Sequence, residues 1–260
     1  MSEATPLLEI DQLSVHFGGL VAISQMTFDV HDGEIVSLIG PNGAGKTTAF
    51  NAITGYLQPE SGESRYRGRA LNGMKPNQIA DLGVVRTFQK TSLFAGNTVF
   101  DNVLIGLHRQ GRQTLAGVLL RLPGMRAEER SLRETALELL EFVGLDKRRD
   151  ELASALPYGE QRVLEVAIGL AAQPKLLLLD EPASGMNPSE TSNFVKMVDR
   201  IRARDITILL VEHDMRMVMG VSDRVVVLNQ GEIIAEGPPA AIQRDPEVIR
   251  AYLGSSAANA

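Results

Sequence analysis

The chain has 260 residues, 44% of them hydrophobic and 22% charged, an ordinary globular composition that excludes disorder over most of its length. Its 26 Lys and Arg against 32 Asp and Glu leave a net charge of −6, which argues against a general nucleic-acid binder, since phosphate backbones are held by a surplus of positive charge. Cysteine is absent, so a disulfide framework and thiolate metal sites are excluded. The histidines (His16, His31, His108, His213) lack zinc-like spacing. The start, Met-Ser-Glu-Ala-Thr-Pro, has neither the basic region nor the apolar stretch of a secretory signal, and no apolar run approaches the ~20 residues of a membrane helix.

In chain order, Leu8, Ile10, Leu13, Val15 and Phe17 nearly alternate with polar residues. Gly18-Gly19 breaks the run, and Met26, Phe28 and Val30 alternate again, which predicts an antiparallel layer with one wet face. Ile35 to Ile39 is a short apolar strand, followed by a glycine-rich turn and a helix from about Lys46 to Ile53. Loops and short strands follow to Gly73, with a strand at Val84 to Phe88. A helical block is expected from about Asn97 to Gly169. Within it, Leu132, Ala136, Leu139, Leu140 and Val143 share one face at three- and four-residue spacing, and Gly144 ends the element. Arg109 to Arg126 reads either as a second amphipathic helix or as a glycine- and proline-punctuated loop. Strands return at Leu176 to Leu179, Ile206 to Val211 and Val225 to Leu228. The last turns through Asn229-Gln230-Gly231 into Ile233 to Ala235 as a hairpin. Asp245, Pro246 and Gly254 bracket a final helix, 245–254, before a frayed tail at 255–260.

The fold class is therefore α/β: a P-loop nucleotide-binding core with an N-terminal antiparallel β layer and an inserted α-helical subdomain. A single domain is expected over 1–254, with core lobes at about 1–95 and 160–240 and the helical insertion at about 96–159.

Gly40-Pro41-Asn42-Gly43-Ala44-Gly45-Lys46-Thr47 fits the pattern G-x-x-x-x-G-K-[ST], between an apolar strand and a helix, which is the context that pattern requires. Glycines allow the backbone N–H groups to turn inward as an anion nest, and the following helix, with Thr48 in its first turn, points its positive end at the phosphates. Lys46 is placed to reach the β- and γ-phosphates of ATP, and the Thr47 hydroxyl to bind Mg²⁺. Leu176-Leu177-Leu178-Leu179-Asp180-Glu181 is an apolar strand ending in two acids. In P-loop proteins the first holds the metal, and a second beside it can orient or deprotonate water. Two solvated carboxylates at a strand end are common, but together with the P-loop the catalytic reading wins.

With these elements the chain resembles the ATP-binding subunit of an ABC transporter, along essentially its whole length. Gln89, in Gly83-Val84-Val85-Arg86-Thr87-Phe88-Gln89, resembles the Q-loop glutamine that touches Mg²⁺ and senses the membrane partner. Leu156-Pro157-Tyr158-Gly159-Glu160-Gln161-Arg162 stands where the signature Leu-Ser-Gly-Gly-Gln belongs. Asp180 and Glu181 match the metal-binding acid and the catalytic base. Ser184-Gly185-Met186-Asn187 falls at the D-loop, and His213 matches the switch histidine that contacts the γ-phosphate. Phe17 stands where an aromatic stacks on adenine, although a core strand residue is an equal reading of it. The signature departs from the family pattern at Pro157, Tyr158 and Glu160. Gly159 still permits close backbone approach to a phosphate, but Glu160 adds negative charge nearby.

The near-signature, the stretch Gly185 to Thr191, Glu212-His213-Asp214-Met215 and the tail Asp245 to Gly254 resemble the branched-chain amino-acid importers of this family, as does a long insertion around Gly106 to Met125. That resemblance implies two integral-membrane permease subunits as partners and a second ABC ATPase, as heterodimer or homodimer. It also implies an extracytoplasmic solute-binding protein acting indirectly, no nucleic acid, and a place on the cytoplasmic face of the membrane. Related importers of urea, amides or aromatic acids share the pattern. A soluble ABC ATPase acting on DNA or ribosomes would carry a long coiled-coil insertion or tandem domains. A GTPase would carry Asn-Lys-x-Asp, which is absent.

Overall fold

The structure, a computed structural model, describes residues 5–87, 93–107 and 123–257, without side chains at 123–126 and 253–257. Gln89, Phe88, His108 and the ambiguous stretch 109–122 lie outside the described residues.

Two β-sheets share the core among these residues. The first is antiparallel, in the order β2-β1-β4-β5, from β1 (Leu8–Phe17), β2 (Leu20–Val30), β4 (Ser61–Tyr66) and β5 (Arg69–Ala70). The imperfect alternation of β1 has a physical cause: its pairing with β2 shifts register near Leu13 and again near Val15. Gln12 and Gln25 beside these shifts have left-handed backbone, the mark of bulges.

The second sheet runs β10-β9-β3-β8-β7-β6. Its strands are β3 (Ile35–Ile39), β6 (Val84–Arg86), β7 (Leu176–Asp180), β8 (Thr207–Val211), β9 (Arg224–Asn229) and β10 (Glu232–Gly237). All neighbours are parallel except the β9–β10 hairpin. The apolar runs Ile35–Ile39, Leu176–Asp180 and Thr207–Val211 are buried throughout, as expected of strands covered on both faces.

The helices are α1 (Lys46–Ile53), α2 (Pro76–Asp81), α3 (Val99–Leu107), α4 (Pro123–Val143), α5 (Tyr158–Ala171), α6 (Pro188–Arg202), α7 (Met215–Val221), α8 (Pro239–Ile242) and α9 (Pro246–Ala257). The face of α4 read from spacing is the one that packs: Ala136, Leu139 and Leu140 are buried, and Leu132 and Val143 pack against the same core. That core runs without a break from α3, α4 and α5 to β7, β8 and α6, so the helical subdomain and the parallel sheet share one hydrophobic cluster.

Two boundaries differ from the sequence reading. β6 ends at Arg86 rather than Phe88. The last helix does not stop at Gly254 but continues to Ala257, so the expected tail begins inside the helix. Gly254 has no left-handed backbone, so it does not cap the helix as a glycine past the last turn commonly does.

Candidate nucleotide site

The P-loop bridges β3 and α1 at the carboxyl edge of the parallel sheet, and two of its glycines are required by space. A Cβ on Gly40, whose φ is 154°, would stand 2.0 Å from the Leu228 carbonyl oxygen. One on Gly45, whose φ is 108°, would stand 2.6 Å from the Ala22 carbonyl oxygen. The loop is thus wedged between β9 and β2, and the Gly231 N–H from the β9–β10 turn donates to the Ala44 carbonyl. Ala44 is buried, whereas Asn42 and Gly43 are exposed at the rim.

Lys46 is buried and donates to the carbonyls of Gly40 at 2.7 Å and Pro41 at 2.9 Å. These bonds use two of an ammonium group's three donors. Burial holds its pKa below the ordinary lysine range, opposed by the nearby carboxylates of Glu181 and Asp180. From behind, the C-terminal helix supports the start of this loop. Burial pushes the Tyr252 phenol up to about 12, against a hydrogen bond with the backbone of Gly40.

An open cavity of about 680 Å³ lies over the loop, lined by Asn42, Gly43, Gly45, Lys46, Thr47, Thr48 and Glu181 on one side and by Phe17, Leu20 and Val21 on the other. Phe17 is 51% exposed, which rules out the core reading, and it lines the cavity with Leu20 and Val21 at the β1–β2 turn. Such an apolar lining beside a phosphate cradle suits a flat heterocycle.

Asp180 ends β7 and is buried. Its Oδ2 accepts from Arg86 Nη2 at 2.6 Å, while Oδ1 is buried with no hydrogen-bond partner among the described residues. A buried carboxylate oxygen left open is what a cation ligand requires, and Thr47 stands in the first turn of α1 across the cavity. No group of three or more His, Cys, Asp or Glu able to hold a metal occurs among the described residues. A Mg²⁺ that arrives with a nucleotide needs no more than one or two carboxylates.

Glu181 follows with left-handed backbone, φ 46°, an uncommon conformation for a non-glycine residue that clusters at functional sites. Its N–H donates to the Val211 carbonyl at 2.8 Å, which ties the two acids to the end of β8.

There, Glu212 is fully buried and organises two loops. One oxygen accepts from the Ala183 N–H at 2.8 Å, the other from the N–H groups of His213 at 2.8 Å and Asp214 at 3.1 Å. The His213 imidazole is 56% exposed, with its Nδ1 3.7 Å from the buried Glu212 carboxylate. In the motif Glu212-His213-Asp214-Met215 the sequence reading assigns a role only to His213. The signal of Glu212 is a carboxylate directly after a fully buried strand, where only backbone donors can satisfy it.

Gly159 lies away from this cavity, at the start of α5. A Cβ there would meet the Glu190 carboxylate at 2.9 Å. Tyr158 is exposed, with its ring against Gly185, and the Arg162 guanidinium lies over that ring at 5.0 Å and bonds its hydroxyl. The charge of Glu160 is offset by Arg148 at 3.1 Å. The structure therefore gathers Phe17, the P-loop, Asp180, Glu181 and His213 at one edge and leaves the signature apart.

Comparison with known proteins decides the family. Residues 23–184 match the ABC transporter family, and residues 232–258 match the branched-chain amino acid ATP-binding cassette transporter family. The chain belongs to the ABC transporter ATPases. It is 46% identical over 252 residues to the high-affinity branched-chain amino acid transport ATP-binding protein LivG of Escherichia coli (strain K12), covering 96% of this chain and 99% of that one. BraF of Pseudomonas aeruginosa, with the same description, is 43% identical over the same shares. Among solved structures, a nucleotide-free ABC transporter cassette superposes with TM-score 0.84 at 30% identity, covering 95% of this chain and 99% of that one. The ADP conformation of another cassette gives TM-score 0.85 at 30% identity, covering 96% and 100%. As an ABC ATPase the chain hydrolyses ATP and works with membrane permease partners. No described helix is long and apolar enough to cross a membrane.

Proposed function

We propose that this chain powers the import of branched-chain or related small amino acids through two membrane permease subunits, paired with a second ABC ATPase in a heterodimer. A solute-binding protein outside the membrane would deliver the cargo, and the chain would sit on the cytoplasmic face. What carries this reading is the full-length likeness to LivG and BraF together with the P-loop, Asp180, Glu181 and His213 following the ends of the neighbouring parallel strands β3, β7 and β8.

Binding begins with the base against Phe17. Backbone N–H groups of the loop from Gly40 to Gly45, and of Thr47 and Thr48 at the start of α1, receive the phosphates. Lys46 places its charge on the β- and γ-phosphate oxygens. Mg²⁺ would be held by Thr47, Asp180 and Gln89, and when bound it neutralises charge between those phosphates. Glu181 orients the attacking water and takes its proton. His213 donates to the γ-phosphate, with its approach set by the backbone that Glu212 holds. The ABC transporter resemblance implies that the signature completes the ATP site of the partner ATPase, and Gly159, outside the lining of this chain's own cavity, fits that role.

A second cavity, of about 580 Å³, opens between the core and the helical subdomain, with Tyr56, Ile79, Val85, Phe94 and Ile168 in its lining. Tyr56 and Phe94 are exposed there. This mostly apolar groove, lined also by Arg86 and Thr87, suits a helix of the permease.

The test is a tagged pull-down from detergent-solubilised native membranes, with the co-purifying chains identified by mass spectrometry. Two multi-spanning permeases and a second ATPase are expected. Soluble partners or nucleic acid in their place would overturn the transport reading while leaving the nucleotide site standing.

A further inference from the structure

Arg86 ends β6, three residues before Gln89, and its side chain is buried at the junction of three elements. One nitrogen, Nη2, donates to Asp180 Oδ2 at 2.6 Å, with the two side chains only 9% and 0% exposed. The other, Nη1, donates to Asn51 Oδ1 at 2.7 Å on the helix that the P-loop opens. The guanidinium plane also stands over the Phe50 ring, 5.5 Å from its centre. The cation is therefore fixed from the P-loop helix on one side and grips the carboxylate of β7 on the other.

Ion pairing alone does not account for this arrangement. An arginine fork can engage both oxygens of a carboxylate, yet here it takes only Oδ2 and leaves Oδ1 buried and unpartnered among the described residues. An open buried oxygen is costly unless another ligand uses it. Nη1 is held by Asn51, and Nε is buried with no hydrogen-bond partner among the described residues, so the guanidinium does not turn its Nε–Nη2 edge onto both carboxylate oxygens.

We propose that Arg86 is a positioning residue for the metal ligand: by holding Asp180 through Oδ2 and itself being held by Asn51, it presents Oδ1 to the Mg²⁺ that accompanies ATP. This rests on the reading of Asp180 as a metal ligand. Arg86 touches neither ATP nor the metal. It also links β6 with the helix that follows the P-loop.

The experiment measures the affinity of the full chain for a fluorescent ATP analogue, in Mg²⁺ and in EDTA, for the wild type and for Arg86→Met, Arg86→Lys, Asn51→Ala and Asp180→Asn. The readout is the gain in affinity that Mg²⁺ confers. Arg86→Met is expected to cut that gain about 10- to 100-fold, the usual range for partners of a metal ligand, with affinity in EDTA unchanged. Arg86→Lys, which keeps the charge without the fork, restores part of it. Asn51→Ala, which frees the guanidinium but leaves the ion pair, gives a smaller loss in the same direction. A folded Arg86→Met with the wild-type gain overturns the proposal. If that variant does not fold, a wild-type gain in both Arg86→Lys and Asn51→Ala overturns it instead. Asp180→Asn separates the two readings. If it too keeps the full gain, the assignment of Asp180 as a ligand fails. If it loses the gain while the Arg86 variants keep it, only the role of Arg86 fails.

Discussion

The phosphate end of the molecule and the signature end are held by different means. At the first, the P-loop, Asp180, Glu181 and His213 sit where parallel strands stop, and their places are set by the sheet and by backbone contacts such as Glu181 N–H to Val211. At the second, the start of α5 is held by side chains: the Tyr158 ring on Gly185, the Glu190 carboxylate beside Gly159, and Arg148 on Glu160. A site fixed by strand ends cannot move without breaking the sheet. One fixed by side chains at the surface can shift as a unit with its subdomain, as a surface offered to a partner must.

The sharpest way to break this contrast is at the phosphate end. Gly40→Ala would force a Cβ to within 2.0 Å of the Leu228 carbonyl. Backbone cannot yield cheaply there, so the loop shifts and binding of a fluorescent ATP analogue is expected to be lost. Glu181→Gln leaves the cradle intact. It should bind ATP as the wild type does while turnover of the assembled transporter falls about 10²- to 10⁴-fold, the range for losing a general base, read by phosphate release.

Between the two ends, Phe142 of α4 is buried and carries the guanidinium groups of Arg200 and Arg204 at 4.5 Å and 3.5 Å from its ring centre. Arg200 lies on α6 and Arg204 just past its end, so the ring joins the helical subdomain to the core. Phe142→Ala is expected to cost about 3–5 kcal/mol by thermal or denaturant unfolding, while ATP affinity in the folded protein is unchanged. At the signature end, Tyr158→Phe keeps the ring against Gly185 and loses only the bonds from Arg162. Its stability cost should be about 0.5–1.5 kcal/mol at most, by the same measurement. Removing the surface pair His16–Glu60, whose side chains are 39% and 64% exposed, should change stability by less than about 1 kcal/mol.

The same contrast explains what the sequence made legible. A P-loop needs its glycines in fixed order, and a buried parallel strand needs a continuous apolar run, so Gly40–Thr47 and Leu176–Glu181 announce their own geometry. The bulges at Gln12 and Gln25 appeared only as an imperfect alternation, because no local pattern says where a register shifts. Phe17 is open in the sequence between adenine stacking and the core because an aromatic at a strand end serves either. Arg86 carries no sequence signal of its role and Glu212 only its place directly after a buried strand: each matters through partners distant in sequence, Asp180 and Asn51 for one, Ala183 for the other. Gly254 misled because glycine ends helices often but not always, and here α9 continues through it. The negative charge of Glu160, which from sequence weakens the signature, is offset by Arg148 from a short turn twelve residues earlier, a pairing no motif records.

The most direct test of the division between the two ends compares one signature variant in two settings. Gly159→Val presses on the Glu190 carboxylate, which accepts from the Asn187 N–H at the start of α6, and lies away from the chain's own cavity. The account predicts that the variant alone binds ATP with wild-type affinity, while turnover of the transporter assembled with its partner ATPase drops sharply. Loss of ATP affinity in the isolated chain, or full turnover in the assembled transporter, would contradict it.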